Sequence, residues 1–269
     1  MIFIMELQNN RKEIQKGDSE RIPLFHKIIS VFIVLIVWQL VAMKINQRIL
    51  IVSPFAVLVR LFSIWREQGF FSSILFTFKH IVGGFLIGTI VGTILAVLAY
   101  KSKWIQVLIW PWMALIKSVP VASFIVICLV WLSASKISIF ISFLIVVPMM
   151  YHNLLEALSH MDETLKEMGK VFEISLVKRI RYIVLPQIAA AFLAACQVSI
   201  GMAWKAGVAA EIIGTPNGSI GRNLYLAKIY LDTDDLLAWT VVVVVISILF
   251  EKLVLFIIKR LLLGKEGEV

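Results

Sequence analysis

The sequence predicts an all-α, polytopic membrane protein with about six transmembrane helices, and three observations carry that prediction. Hydrophobic residues make up 60% of the 269 positions and charged residues only 16%, with a mean hydropathy of +0.94. A soluble domain of this length carries charge on about a quarter of its residues and cannot hide so much apolar surface. The apolar residues fall in blocks near the length needed to cross a bilayer, about 20 residues. The basic residues behind the net charge of +9 punctuate the ends of these blocks and form no patch with interleaved aromatics. This pattern fits membrane topology, with the lipid bilayer as partner, and argues against a nucleic-acid partner.

Residues 1–23 read as a polar, mixed-charge tail with no cleaved signal, because MIFIM is too short for a signal core and no positive charge precedes it. A first span is expected at 24–43, with Pro23 at its threshold. The connection 44–80 contains Ser53-Pro54, a helix-start signal, followed by an apolar run broken by Arg60 and Arg66; this suits a helix lying in the interface. The core is expected over 81–260 with spans at 81–100, 104–132, 137–158, 188–213 and 236–258. The block 104–132 holds Pro111 and Pro120 and reads as one kinked helix, and Pro148 predicts another kink. Residues 214–235 form a polar loop rich in turn residues, and 261–269 a charged tail. Six spans put both ends on one side. That side, which includes the loop 159–186, carries the larger share of Lys and Arg, so this loop and both termini are expected in the cytoplasm.

The span 81–100 carries Gly84, Gly88 and Gly92 at intervals of four. Such a stripe clears one helix face for close contact in lipid, either within one subunit or against a second copy. Charges inside apolar blocks are costly enough to be functional candidates. Lys117, Lys205 and Glu211, with Trp204 beside them, are candidates for a translocation path, with snorkelling or internal pairing as the plainer alternative. Lys205 and Glu211 stand six apart and do not stack on one helix face. Cys128 and Cys196 read as buried hydrophobes, the four histidines show no ligand spacing, and no metal site is expected. No catalytic constellation and no phosphate-cradling G-x-x-x-x-G-K-[ST] occurs, so the chain is expected to be no enzyme and to bind no cofactor itself.

The loop 159–186 is the long charged interval among the apolar blocks of the second half. Leu165, Met168 and Phe172 recur at three- and four-residue spacing and stack on one face of a short helix at 163–172, with Lys166, Glu167 and Lys170 toward the rest. Asp162 is a plausible N-cap, with Glu163 in the first turn. A helix this short needs something to hold it. Pro186 suits the first turn of the next span.

Glu167-Met168-Gly169, Glu173 after three residues, and Ile183-Val184-Leu185-Pro186 after nine more resemble the cytoplasmic loop signature of the membrane subunits of bacterial ABC importers. That signature reads Glu-Ala-Ala, then glycine, then Ile-x-Leu-Pro. Here Met168 and Gly169 stand for the alanines, and Glu173 holds the glycine slot. A register with Gly169 in that slot would need a four-residue insertion, so the ungapped one is preferred. ALIKSVPVASFIVICLVWLSASK, AWKAGVAAEIIG and FEKLVLFIIKRLLL are similar to permeases of the nitrate, sulfonate and taurine branch. The resemblance implies a type I importer bundle with a coupling helix in a bacterial plasma membrane. It implies a second copy of the permease, two ATPase subunits that use ATP and Mg and dock on the loop, and an extracytoplasmic solute-binding protein delivering the solute; the cationic Lys117 and Lys205 would suit a small anionic one such as a sulfonate, taurine or nitrate. The alternative is an ion-coupled carrier or channel working alone, with Lys205 and Glu211 as its coupling pair.

Overall fold

The computed structural model describes residues 24–45, residue 47 and residues 51–262. The expected N-terminal tail, and the C-terminal tail past Leu262, lie outside the described residues. The chain divides into two units, Met1–Leu58 and Val59–Val269. In the first, α1 (Leu24–Ile45) has 22 residues, about 33 Å at 1.5 Å per residue and enough for a hydrocarbon core of about 30 Å. Phe32, Val34 and Leu40 lie exposed along it, as on a helix that lipid surrounds. Helix α2 (Pro54–Ile64) runs across the division between the units. It starts as the Ser-Pro signal predicts: Ser53 Oγ accepts from the Ala56 N–H at 3.3 Å, and Pro54 takes the first turn.

The second unit contains α3 (Phe70–Lys101), α4 (Lys103–Ser118), α5 (Val121–Cys128), α6 (Ala134–Ser159), α7 (Glu163–Val171), α8 (Leu176–Arg179), a π-helical turn (Ile180–Val184), α9 (Leu185–Gly214), α10 (Ile220–Ile229) and α11 (Thr233–Leu262). No strand occurs among the described residues. Among the described residues five helices are long and apolar enough to cross a membrane, and the bent α4–α5 pair makes a sixth if counted as one span.

Three expected spans differ from their helices. Helix α3 starts at Phe70 and not at Ile81, after Gly69 turns the chain with φ +91°. Lys79 and His80 interrupt the hydropathy but not the helix, because His80 Nδ1 lies 2.8 Å from the Phe76 carbonyl and its ring stacks on Phe76. The single kinked helix expected at 104–132 is two helices, bent by 103°. Val119 and Pro120 are extended at the break, because proline pushes the residue before it out of the helical region. Pro111 and Pro148, by contrast, sit inside continuous helices. The span expected at 188–213 is the upper part of a helix that runs from Leu176 to Gly214. The π-turn lies just before Pro186, which lacks the N–H to continue a regular ladder.

Helices α3, α6 and α9 make the principal packing. A Cβ at Gly84 would meet the Ile139 carbonyl and, at 2.7 Å, Ser142 Cβ; one at Gly88 would meet Val146 Cβ at 2.8 Å, and one at Gly92 Met150 Cβ at 2.7 Å. The glycine stripe therefore lines the α3–α6 crossing within one subunit and leaves no free face for a second copy. From α9, a Cβ at Gly207 would lie 2.7 Å from both Ser142 Oγ and Ile81, and Ser142 Oγ donates to the Ala203 carbonyl at 3.2 Å. Around this junction Ile81, Phe85, Tyr151, Ile200, Trp204 and Phe250 form the core. Cys128 and Cys196 are buried and unpaired. Because the α3 and α6 backbones touch at Gly88, Gly88→Ala is expected to cost about 1–3 kcal/mol by overpacking, read as a lower thermal unfolding midpoint in detergent.

Candidate functional site

The polar loop folds into α7, held at both ends as its sequence dictates. Asp162 is the N-cap, its carboxylate accepting from the Thr164 N–H at 2.8 Å, and Glu163 and Lys170 complement the helix dipole. At the other end the Ile174 N–H reaches the Gly169 carbonyl at 3.2 Å and the Glu173 N–H reaches that of Lys170 at 3.1 Å. This is a Schellman cap, with Glu173 at the left-handed position, φ +48°. Glycine takes this position most readily, and Glu173 is the residue that the ungapped register puts in the glycine slot. The turn is thus kept with the wrong residue in it, at a conformational cost of about 1–2 kcal/mol.

The helix faces differ from the sequence expectation in one respect. Leu165, Met168 and Phe172 do share a face, and it is outward: they are 36%, 48% and 69% exposed. Glu167 and Lys170 are exposed as well. Lys166 is not on the charged flank; it is only 9% exposed. Its Nζ donates to the Tyr100 hydroxyl at 2.9 Å and to Glu163 Oε1 at 2.7 Å. It also lies 5.4 Å from the centroid of the Tyr100 ring. The bond to Glu163, then that to Tyr100, raises the Lys166 pKa above the ordinary lysine value against the opposing effect of burial. A raised value keeps the ammonium, and the stabilisation it brings, intact until strongly alkaline pH.

Gly169 is the second seat. A Cβ there would meet Ile183 Cδ1 at 2.9 Å and Arg179 Cδ at 3.3 Å, so the helix backbone lies close against the α8 and π-turn segment. The Asp162 N–H donates to Gln187 Oε1 at 2.8 Å, which ties the start of α7 to α9. Ile183 and Leu185 are half-buried in this segment, and Pro186 is exposed. Tyr100 and Gln187 could not be singled out from sequence: each is an ordinary residue at a span end, and nothing local pairs Tyr100 with Lys166, 66 residues on, or Gln187 with Asp162, 25 residues back.

The four path candidates are not brought together. Lys117 and Lys205 are exposed on apolar helices, without a hydrogen bond or ion pair among the described residues, and Lys117 lies within electrostatic reach of His152 on α6. Trp204 is buried against Phe78 and Phe250 and is a core residue. Glu211 is fully enclosed; its Oε2 accepts from Thr77 Oγ1 at 2.7 Å and from the Gly221 N–H at 3.2 Å, while Thr77 Oγ1 accepts from the Ile220 N–H at 3.0 Å. Glu211 and Thr77 thus clasp the N-terminus of α10 to α3 and α9. Lys205 and Glu211 occupy different environments, so the pair that a lone ion-coupled carrier would use is not assembled.

Two outcomes are expected. Glu211→Ala leaves the Thr77 hydroxyl and the Gly221 N–H buried without an acceptor, at about 2–4 kcal/mol; Glu211→Gln keeps an acceptor and costs less, as detergent thermal denaturation would show. Glu173→Gly relieves the left-handed glutamate and raises the unfolding midpoint, an effect of about 1 kcal/mol.

The chain matches, over residues 84–265, the family described as binding-protein-dependent transport system inner membrane component. A Bacillus subtilis permease, whose name assigns it to aliphatic sulfonates transport, is 21% identical over 233 residues, covering 86% of this chain and 84% of its own. An ABC transporter permease protein of Haemophilus influenzae is 25% identical over 238 residues, 85% of this chain and 93% of its own. One of Methanocaldococcus jannaschii is 21% identical over 252 residues, 88% and 92%. The family match takes in the glycine stripe, α7 with both of its seats, and Glu211 with Gly221, and the chain belongs to this family of ABC transporter permeases.

Proposed function

We propose that the chain is the permease of an importer, in which two copies form the path and two ATPase subunits, using ATP and Mg, drive it from the cytoplasm. The observation that carries this reading is the orientation of α7: its apolar stripe is turned outward while Lys166 and Gly169 fasten it to the bundle. An apolar stripe left uncovered beside the exposed Glu167 and Lys170 is a surface made for a partner. In this reading both termini are cytoplasmic, the membrane is a bacterial plasma membrane, and a solute-binding protein delivers its load at the opposite end of the bundle.

The solute class we infer is a small oxyanion such as a sulfonate, taurine or nitrate. Lys117 and Lys205 stand exposed on apolar helices with no carboxylate partner among the described residues. A lysine so placed escapes a penalty of roughly 2.5–3.5 kcal/mol by snorkelling to the interface or by facing water or an anion, and an anion on the path is the reading we take. The name of the Bacillus subtilis relative points to the same chemistry.

The test is co-purification with nucleotide-binding subunits from the native host. The wild-type chain is expected to retain them in detergent, and Met168→Asp combined with Phe172→Asp to lose them while still inserting in the membrane. Glu167→Ala is expected to leave ATP hydrolysis in the complex but reduce taurine or nitrate uptake at least tenfold. Wild-type assembly of the Asp variants would remove α7 as the docking element.

A further inference from the structure

We propose that Lys166 and Tyr100 form a latch joining α7 to the end of α3, which makes Lys166 a positioning residue of the bundle and not a contact of the ATPase. The inference rests on the reading of α7 as the docking element. It begins from a contrast within two turns of helix: the apolar side chains of α7 face outward, while a lysine, the type least expected inside, is turned in. Lys166 reaches across 66 residues of sequence to Tyr100 Oη at 2.9 Å, lies over its ring, and is held from the other side by Glu163.

The other two anchors of α7 lead elsewhere. Gly169 rests on Arg179 and Ile183, and the Asp162 N–H on Gln187, so both pass load into the helix that becomes α9. Lys166 alone among these contacts passes it to α3. That helix is locked to α6 through Gly84, Gly88 and Gly92, and Tyr100 lies two turns beyond Gly92. A displacement of α7 would therefore reach α9 by one route and the α3–α6 pair by the other. Without the latch only the first route remains, and the two parts of the bundle would no longer move together.

The experiment uses the whole transporter, purified with its ATPase subunits. Nitroxide labels at Lys101→Cys and Thr164→Cys, the latter on α7 but outside the residues assigned to docking, report the distance between α3 and α7 with and without ATP plus vanadate; both sites are exposed, whereas native Cys128 and Cys196 are buried and escape labelling. With Lys166 and Tyr100 intact, the distance is expected to stay constant through the nucleotide cycle. In Lys166→Met the labels separate by several ångström on vanadate trapping, and Tyr100→Phe, which keeps the ring but loses the hydroxyl, gives a smaller separation. Lys166→Arg restores the constant distance, which loss of bulk packing alone would not predict. A Lys166→Met complex whose distance stays constant, or an intact latch whose labels separate, overturns the proposal. Loss of the ATPase subunits on Lys166→Met alone also overturns it, by making Lys166 a docking contact, and leaves the docking reading standing. If no variant and no wild-type chain retains ATPase subunits, the docking reading falls and the latch with it.

Discussion

The close approach of three helix backbones around Ser142 is the constraint on which the rest of the structure depends. In hydrocarbon, burying one more leucine between helices brings little, because lipid tails are as apolar as leucine; helices associate by fitting closely and by hydrogen bonding across the fit. Gly84 on α3 and Gly207 on α9 leave just the room that Ser142 on α6 occupies, and its hydroxyl closes the contact on the Ala203 carbonyl. One helical turn beyond Gly207, Glu211 reaches Thr77 and Gly221 and brings α10 into place. Along α3 in the other direction the column of small residues continues through Gly88, Gly92 and Ala96 and ends at Tyr100, where α7 is seated. The clasp at one end and the seat at the other are thus set by a single crossing.

The seat gives α7 an inverted character. An amphipathic helix on a protein surface commonly turns its apolar stripe to the core; this one turns in a lysine and a glycine and leaves Leu165, Met168 and Phe172 uncovered. The energy that holds it comes from directed bonds to Tyr100 and Gln187 and from the close fit of Gly169 on Ile183, while Glu163, on α7 itself, orients the Lys166 ammonium. Directed bonds fix a short helix in one orientation, which greasy contacts alone would do poorly. Such a helix can bear load from a partner without rolling, which is what the proposed importer requires of it.

Much of this was legible in the chain. The glycine spacing announced a close crossing, Asp162 and Glu163 announced the start of α7, and the spacing from Glu167 to Pro186 placed Glu173 where the backbone does turn left-handed. The path candidates were less legible, since a charge or a tryptophan in an apolar block looks alike whether it meets water, lipid or a buried partner. Trp204 and Glu211 are buried, whereas Lys117 and Lys205 are exposed.

By itself the sequence determined what depends on local and periodic chemistry: an all-helical membrane chain, the stripe that must meet another helix, the caps of α7, and the loop spacing shared with ABC permeases. Only the tertiary structure decided which helix the stripe meets, that the α4–α5 segment breaks by 103° and does not merely kink, and that Lys166 turns inward. The partner of the stripe and the inward lysine depend on pairs of residues far apart in the chain, Gly84 with Ser142 and Lys166 with Tyr100; Pro120 marks the place of the α4–α5 break without fixing its angle. Helical periodicity tells which residues share a face, and it carries no information about what that face will touch.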